Sequence, residues 1–581
     1  MVLVVALMAA ASSWARPNSS WCAVGDNHDF ADPNLWTING TTGQLPPCGT
    51  TISGYWNGYF DYHTTLSAAD SKITMGSDLL LNLVYFGKNG TYAFDLGGHT
   101  LSIYDMLYMS GGNNLKIVFT NGTLNCGTAA SGATSFLIGE NGTGQTFEIG
   151  AGGHLNSNEP AFGRINSGAT LRVCDGGWAT FSSWRPAYSA NAQWQPVGGN
   201  LVEVKGDGSK LQIYGDLSLG SANYGVDTND RVLVRDSALL ALGVTNGIVN
   251  TATISSYIGR NTGCHSLVVS NQASFVSFNR NLLIGNAAAA SNNLMAVVAG
   301  SSAVLSNGSI TVGSSTAANN RLLIDDSTFV ATNVTFGATG TNGTIEIVNG
   351  ADVKFSYSAG NWNPVNTAGG TLIVSNATLA LDGRSLGLAI GGGALEAKAV
   401  LKDAVVTTSN SRGFGQRNGV SVGWNEKNDS LTIENSKINA YNSGNFMVND
   451  AVESPVPDTA VTDIYIKGTN TQITANSLIM KGTTRLHFEV PPEGYASTPI
   501  TVANYQFDNV LASDAEITVS YDPNKLKKSM RVPLISIANK TIPERYWQMV
   551  KETDMIKVDR SDSRVLAVRL RSGKGLLVVF R

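Results

Sequence analysis

The chain has few charged residues. Asp, Glu, Lys and Arg make up 14% of its 581 residues, against roughly 25% in typical soluble proteins. The net charge is −4, and no basic patch interleaved with aromatic residues is present, so we expect no nucleic-acid partner. After the first residues, no segment approaches the ~18 consecutive apolar residues of a membrane helix. We therefore expect no transmembrane segment in the mature chain.

Cysteine is also sparse, with Cys22, Cys48, Cys126, Cys174 and Cys264 as its five copies. Their spacing does not match the closely spaced pairs of a zinc site, and no glycine-rich phosphate loop occurs, so we expect no metal and no cofactor. Cys22 and Cys48 are close enough in sequence to form a disulfide in an oxidising compartment. The alternative is that both remain free thiols.

No segment has apolar residues three and four apart over a dozen positions, so amphipathic helices are not expected. Instead, one short pattern recurs: apolar, any, apolar, any, Asn or Asp, small, any, apolar. It occurs in residues 232–239, 322–329, 372–379 and 431–438, and in a version one residue longer in residues 267–275 and 345–353.

Each copy of the pattern indicates two short strands joined by a bend, because Asn, Asp and Gly tolerate left-handed backbone angles. A brief apolar pair closed by glycine follows, with Gly285, Gly313, Gly337, Gly391 and Gly423 as the closing residues. Three strands and two bends in about 24 to 32 residues are what one coil of a solenoid needs. The sequence thus predicts an all-β fold, a right-handed parallel β-helix (β-solenoid) with an N-terminal cap and a small C-terminal β module.

Four segments are expected in chain order. Residues 1–15 resemble a signal peptide, with an apolar run and a small-x-small cleavage site; a buried strand is the alternative. Residues 16–64 are the expected N-terminal cap, since an open coil exposes its core. Residues 65–500 are the expected parallel β-helix. Residues 501–581 are the expected C-terminal cap or small β module.

With its exported start, the opening around Phe30 to Trp36 and these repeats, the chain resembles bacterial secreted β-helix repeat proteins, namely autotransporter passengers and pectin-lyase-like solenoids. The resemblance implies an extracellular or cell-surface location. It also implies that polysaccharide or other cell-surface components are the partners. Its motifs describe architecture and do not specify an activity.

Many β-helices cleave polysaccharides, and this reaction needs particular ionisable groups. A hydrolase requires convergent carboxylates, and Asp325 and Asp326 are the only adjacent Asp pair in the repeats. The bend of the repeated pattern favours Asp or Asn in any case, so the fold alone can explain this pair. A lyase requires a basic residue beside an acidic cluster; Lys354, Arg384 and Lys402 qualify by residue type alone. We therefore assign no catalytic residue.

Five aromatic residues, by contrast, fall in two apparent insertions between coils, where their rings could stack on sugars. These candidate glycan contacts are Trp178, Trp184, Trp194, Tyr357 and Trp362. The alternative is that they pack against the solenoid. The sequence favours a secreted, non-catalytic β-solenoid for surface structure, adhesion or glycan contact, with a polysaccharide lyase or glycoside hydrolase on a β-helix scaffold as the alternative.

Overall fold

The computed structural model describes residues 18–21, 28–30, 32–38, 41–43, 57–59, 72–86, 90–109, 113–127, 136–139, 142–158, 160–162, 168–183, 198–220, 228–313, 317–338, 343–356, 365–367, 369–382, 386–391, 396–409, 419–423, 428–440, 444–449, 461–506 and 511–573. Its contacts divide the chain into two units. The first comprises Met1–Thr251, His265–Leu267 and Gln272–Val276, and the second comprises Ala252–Cys264, Val268–Asn271 and Ser277–Arg581.

Up to residue 251 the regular elements are short strands and one 3₁₀ turn at Pro33–Leu35. The strands are β1 (Asn18–Trp21), β2 (His28–Asp29), β3 (Trp36–Ile38), β4 (Thr41–Thr42), β5 (Asn57–Tyr59), β6 (Lys72–Thr74), β7 (Leu79–Phe86), β8 (Thr91–Asp95), β9 (Thr100–Met109), β10 (Lys116–Thr120), β11 (Gly122–Cys126), β12 (Phe136–Ile138), β13 (Thr146–Ile149), β14 (Gly153–Ser157), β15 (Pro160–Phe162), β16 (Thr170–Cys174), β17 (Trp178–Phe181), β18 (Leu201–Lys205), β19 (Lys210–Ile213), β20 (Ser218–Leu219), β21 (Arg231–Arg235), β22 (Leu239–Leu242), β23 (Val244–Thr245) and β24 (Ile248–Val249).

From residue 252 onward the strands continue, together with one short helix, α1 (Glu544–Met549). The strands are β25 (Ile254–Ile258), β26 (Ser266–Ser270), β27 (Ser274–Ile284), β28 (Leu294–Val298), β29 (Ser302–Val312), β30 (Arg321–Asp325), β31 (Thr328–Ala338), β32 (Thr344–Val348), β33 (Asp352–Ser356), β34 (Val365–Thr367), β35 (Thr371–Ser375), β36 (Thr378–Asp382), β37 (Leu386–Ile390), β38 (Lys398–Lys402), β39 (Val405–Ser409), β40 (Gly419–Val422), β41 (Ser430–Glu434), β42 (Lys437–Ala440), β43 (Asn445–Val448), β44 (Val461–Lys467), β45 (Gln472–Met480), β46 (Thr483–Glu489), β47 (Ile500–Gln506), β48 (Glu516–Ser520), β49 (Met530–Ile537), β50 (Ile556–Asp559) and β51 (Val565–Leu570).

These strands form the predicted parallel β-helix. In the second unit β35, β36 and β37 are the three strands of one coil, and each pairs in parallel with the equivalent strand of the next coil, β38, β39 and β40. The first unit repeats this pairing along β10, β13, β16, β18 and β21. The expected all-β solenoid is confirmed.

The core consists of side chains that alternate inward along each strand and stack on those of neighbouring coils. Ile324 and Val374, which occupy the second apolar position of the repeated pattern, are fully buried. In the first unit the inward residues include an aromatic series in which Phe94 and Phe119 stack with ring centroids 4.6 Å apart. Because the period of a strand is two, burial of every second residue fixes the register of each coil.

The bend of the repeated pattern has the predicted left-handed backbone. Asp326, Asn376 and Asn435 have φ of 47°, 48° and 47°. The equivalent residues Asp236 and Asn349 have φ of 59° and 55°. Asp326 is therefore a bend residue, in agreement with the structural interpretation of the Asp325–Asp326 pair.

The corner predicted from the apolar pair and glycine is observed in most of the coils that carry it. Four of the predicted glycines close it with left-handed φ between 78° and 90°, namely Gly285, Gly313, Gly391 and Gly423. The fifth, Gly337, lies inside β31. Gly337 is the register partner of Thr311 in β29 and is not a corner residue. A separate bend lies inside the long strands β27, β29 and β31, where Asn279, Asn307 and Asn333 have φ of 52°, 55° and 54°.

At the N-terminal end, Phe30 and Trp36 are fully buried. The ring of Phe30 lies 5.5 Å from that of Phe94, and the indole of Trp36 donates to the carbonyl of Phe30 at 2.9 Å. This packing covers an aromatic face of the first coils, as a cap would. The assignment of residues 16–64 as that cap stays a prediction.

At the C-terminal end, parallel pairing continues beyond residue 500. The predicted boundary falls in β47, which pairs in parallel with β45, and β48 pairs in parallel with β46. Antiparallel pairing begins with β49, β50 and β51. The last described strand of the expected C-terminal module is β51, and residues 574–581 lie outside the described residues.

A row of hydrogen-bonded Asn and Asp side chains, here called the Asn/Asp ladder, runs from coil to coil inside the solenoid. In several coils the residue before the first strand is a buried Asn or Asp that bonds to the equivalent position of a neighbouring coil. Asn200 donates its backbone and side-chain N–H groups to Asp230 Oδ1 at 2.9 and 3.0 Å. Asn293 makes the same two bonds to Asn320 Oδ1, each 3.0 Å. The ladder thus satisfies backbone donors that the corner would otherwise leave unpaired.

Asp429 occupies this ladder position as a carboxyl group. Its Oδ1 accepts from the backbone N–H of Ala397 at 2.7 Å, whereas Oδ2 has no hydrogen-bond partner among the described residues. A Cβ on Gly391 would lie 1.8 Å from Oδ2, so only glycine fits above it. Burial raises the pKa of Asp429 to about 7, with a further contribution from Glu396.

The first prediction concerns the core register. Val374→Asp places a charge among stacked apolar side chains and should destabilise the protein by more than about 4 kcal/mol. Val330→Asp is the matched control, since Val330 points outward and is 37% exposed; its effect should stay within about 0.5 kcal/mol. Thermal unfolding followed by circular dichroism measures both. Equal melting temperatures for the two variants would contradict the register.

The second prediction concerns Asp429. The unfolded carboxyl titrates near 3.8 and the folded one near 7, so its contribution to stability is lost as pH rises between these values. Asp429→Asn should therefore gain stability over the parent as pH rises from about 4 to 7, by on the order of 2–4 kcal/mol.

Urea unfolding at a series of pH values measures this difference. The matched control is Asp403→Asn, the same substitution at an exposed bend residue, which should leave the pH dependence of the parent unchanged. A gain for Asp429→Asn that is the same at pH 5 and pH 8 would show that this carboxyl is not held as described.

Candidate functional site

Of the five candidate glycan contacts, only Trp178 is among the described residues. Trp184, Trp194, Tyr357 and Trp362 lie outside them, as do Cys22 and Cys48. Trp178 is the first residue of β17 and does not belong to an insertion. The expected placement of Trp178 in an insertion was wrong, because Ala179 and Phe181 both alternate inward, which makes residues 178–181 a regular strand. Its role as a glycan contact stays a prediction.

Trp178 points outward and stands in a stack of side chains from successive coils. Its ring is stacked on that of His154, with centroids 4.5 Å apart, and Lys210 Nζ lies 5.5 Å from its centroid. The three residues are register partners in β14, β17 and β19. Because neighbouring coils flank the indole on both sides, Trp178 is poorly placed to stack its faces on a sugar.

Those charged residues singled out from the sequence that the structure describes are not brought together as an active site. Lys354 pairs with Asp352 at 2.6 Å, and Lys402 pairs with Glu434 at 3.5 Å. Asp325 accepts from the Asn349 side chain at 2.9 Å. Arg384 lies outside the described residues. Each described contact joins an outward side chain to its own strand or to the adjacent coil.

A ladder of charges that sequence reasoning missed lies on the outer face of the first unit. Glu148, Arg172 and Glu203 are register partners in β13, β16 and β18. Arg172 Nε lies 2.7 Å from Glu203 Oε2, and Arg172 Nη1 lies 3.3 Å from Glu148 Oε2. Lys116 and Arg235 extend the ladder at its two ends, by contacts of 3.0 Å to Glu148 and 2.7 Å to Glu203.

In this ladder the carboxylates are ionised and are paired with arginine or lysine side chains. Burial alone would raise the pKa of Glu203, but hydrogen bonds from Arg172 and Arg235 outweigh it and hold the pKa below its usual value. The same contacts, led by the hydrogen bond to Glu203, raise the pKa of Arg172. Glu203 is thus a poor general acid and Arg172 a poor general base, since each holds its charge more tightly than usual.

The second unit has a related group on its outer face. His487 Nε2 lies 2.8 Å from Asp463 Oδ1, and His487 Nδ1 lies 2.7 Å from Thr518 Oγ1. The imidazole is stacked on Tyr465 at 4.6 Å. Although a hydroxyl, an imidazole and a carboxylate are also the parts of a nucleophilic triad, these come from the outer faces of successive strands β44, β46 and β48. Register stacking accounts for this group as it does for the Glu148–Arg172–Glu203 ladder.

The first unit also contains an uncharged cleft of about 410 Å³ on its outer face. Its floor is formed by outward side chains of β11, β14 and β17, including Asn125, Asn156 and Thr180, and one wall by Tyr214 and Ile248. Cys126 also lines the cleft; burial raises the pKa of its thiol, which therefore stays protonated. No Asp, Glu, Lys or Arg is among the described residues that line it.

The described part of the chain contains neither a metal-binding cluster nor a membrane-spanning helix. No three side chains of His, Cys, Asp and Glu converge there in a way that could hold a metal ion. No helix there has the length and apolar character needed to cross a membrane.

Comparison with known proteins gave little. No protein-family model and no curated protein matches the chain. Among solved structures, the crystal structure of the Haemophilus influenzae Hap adhesin is matched over 96% of this chain and 71% of the other, with 9% sequence identity and a TM-score of 0.19. At that TM-score the similarity carries no argument about fold or function.

Proposed function

We propose that the chain is a secreted, non-catalytic bacterial β-solenoid that serves in surface structure, adhesion or glycan contact. The observation that carries the proposal is the charge pairing on the outer faces. In the Glu148–Arg172–Glu203 ladder, ionisable groups of three successive coils meet. There the pKa of Glu203 is lowered and the pKa of Arg172 is raised, so both move away from the values that acid–base catalysis needs.

The alternative is a polysaccharide lyase or glycoside hydrolase, and the same ladder is the observation in its favour. It brings two carboxylates and two guanidinium groups within ion-pair distance. A hydrolase, however, must keep one carboxyl protonated, whereas the pKa of Glu203 is lowered. A ladder of alternating charges instead links coil to coil and stabilises the outer face.

The third prediction distinguishes the non-catalytic solenoid from the polysaccharide lyase or glycoside hydrolase. The purified chain is incubated with polygalacturonate, alginate, mannan and β-glucan, and both unsaturated uronates and new reducing ends are measured. We expect no product from any of them. If product forms and is lost in Glu203→Gln but kept in Glu346→Gln, which removes the carboxylate that pairs with Arg321 in the second unit, the chain is an enzyme and our proposal is wrong.

A further inference from the structure

The geometry of the uncharged cleft in the first unit points to a binding site for a neutral glycan. We propose that a short stretch of an uncharged polysaccharide lies between the hairpin β23–β24 and the outer face of β11, β14 and β17. The inference rests on the proposed function, because it assumes that this surface binds glycan without cleaving it. A volume of about 410 Å³ lies within the usual range of roughly 300–1,000 Å³ for small-ligand sites.

The floor of the cleft carries hydrogen-bonding groups in a row along successive coils. Asn156 Nδ2 donates to Asn125 Oδ1 at 2.9 Å. Since an amide has two donor hydrogens and one carbonyl oxygen, the described residues leave the NH₂ group of Asn125 and the side-chain oxygen of Asn156 for a ligand. Thr180, on the next coil, has a buried Oγ1 without a partner among the described residues.

These groups match the hydroxyls of a sugar. Asn125 and Asn156 are register partners, as are Asn156 and Thr180, so they stand about 4.8 Å apart along the stack. A pyranose presents adjacent hydroxyls, each able to donate and accept, and can pair with a donor on one coil and an acceptor on the next.

The wall supplies the apolar surface. Tyr214 is 36% exposed and Ile248 is 64% exposed, and both line the cleft. Aromatic and aliphatic side chains suit the C–H faces of a sugar ring, which are its only apolar surface. Exposed apolar side chains beside a polar floor therefore complement a ring whose edge carries hydroxyls.

The wall is also fixed before a ligand arrives. The hairpin turns at Asn246 and Gly247, whose φ values of 49° and 78° fit a tight two-residue turn. Asn246 N–H donates to Gln212 Oε1 at 3.1 Å, and Asn250 Nδ2 donates to the Tyr214 carbonyl at 2.9 Å. These two bonds hold the hairpin against the sheet, so little ordering is required on binding.

The charge of the residues that line the cleft indicates which class of glycan it would bind. The cleft contains no charged side chain among its described lining residues. An acidic polysaccharide would lose hydration at its carboxylates and gain no cation in return. We therefore assign the site to uncharged glycans.

The fourth prediction tests this site with the full chain. Affinity electrophoresis in gels containing β-glucan, mannan or dextran, and in gels containing polygalacturonate or alginate, measures binding. We expect retardation in at least one neutral gel and none in the acidic gels. Tyr214→Ala and Asn156→Ala should each weaken neutral binding by about tenfold, the loss expected for one apolar or hydrogen-bonded contact.

The matched controls are Asn439→Ala, an outward amide of β42 in the second unit, and Tyr257→Ala, an outward aromatic of β25. Both should bind as the parent does, and melting temperatures should show that all four variants fold. Absence of neutral binding, preference for acidic gels, or equal loss in controls and cleft variants would overturn the site while leaving the non-catalytic proposal intact. Release of sugar products in the same mixtures would instead overturn the proposed function.

Discussion

In-register parallel stacking of coils is the constraint on which the rest of the structure depends. Each inward residue packs on the equivalent residue above and below, as Ile345, Leu372 and Ala399 do on successive coils. Because the pairing is parallel, every position along a strand becomes a column that runs through several coils. The interior columns hold the apolar core, and the exterior columns place residues of distant sequence side by side.

The exterior columns account for each group that resembles a functional site. The alternation of Lys402, Glu434, Lys467 and Glu489 follows from their register in β38, β41, β44 and β46. The Glu148–Arg172–Glu203 and Asp463–His487–Thr518 contacts arise in the same way. Because positive and negative side chains alternate within a column, the column avoids the repulsion between like charges about 4.8 Å apart. The uncharged cleft differs, because a hairpin outside the coil closes over its column.

The sequence predicted the fold from local chemistry. Alternation of apolar residues fixed the strands, and Asn or Asp at the bend matched the left-handed backbone of Asp326 and Asn376. Single-residue bends such as Asn333 escaped notice because one Asn inside a long strand resembles any polar residue. Trp178 was misplaced because the segment that begins with it follows a strand and carries Trp184 and Pro186, which suggested an insertion, although Ala179 and Phe181 alternate as in a strand.

The candidate site was harder to predict, since it depends on contacts between coils. Asn125, Asn156 and Thr180 are separated by irregular loop lengths, and their alignment becomes visible only once the register is known. Likewise, nothing in the local sequence of Glu203 indicates two arginine partners from coils on either side. Because the loops vary in length, the number of residues per coil is not constant, and aligned positions cannot be recognised from the sequence alone.

The register itself can be tested with engineered cross-links. Ile373 and Val400 are outward register partners on adjacent coils, so their Cα atoms should lie about 4.8 Å apart, within the span of a disulfide. Oxidation of the double variant Ile373→Cys/Val400→Cys should give that cross-link, as detected by peptide mass spectrometry. The pair Ile373→Cys/Thr432→Cys, two coils apart, should remain reduced. A cross-link in the second pair and none in the first would contradict the parallel register from which every site described above follows.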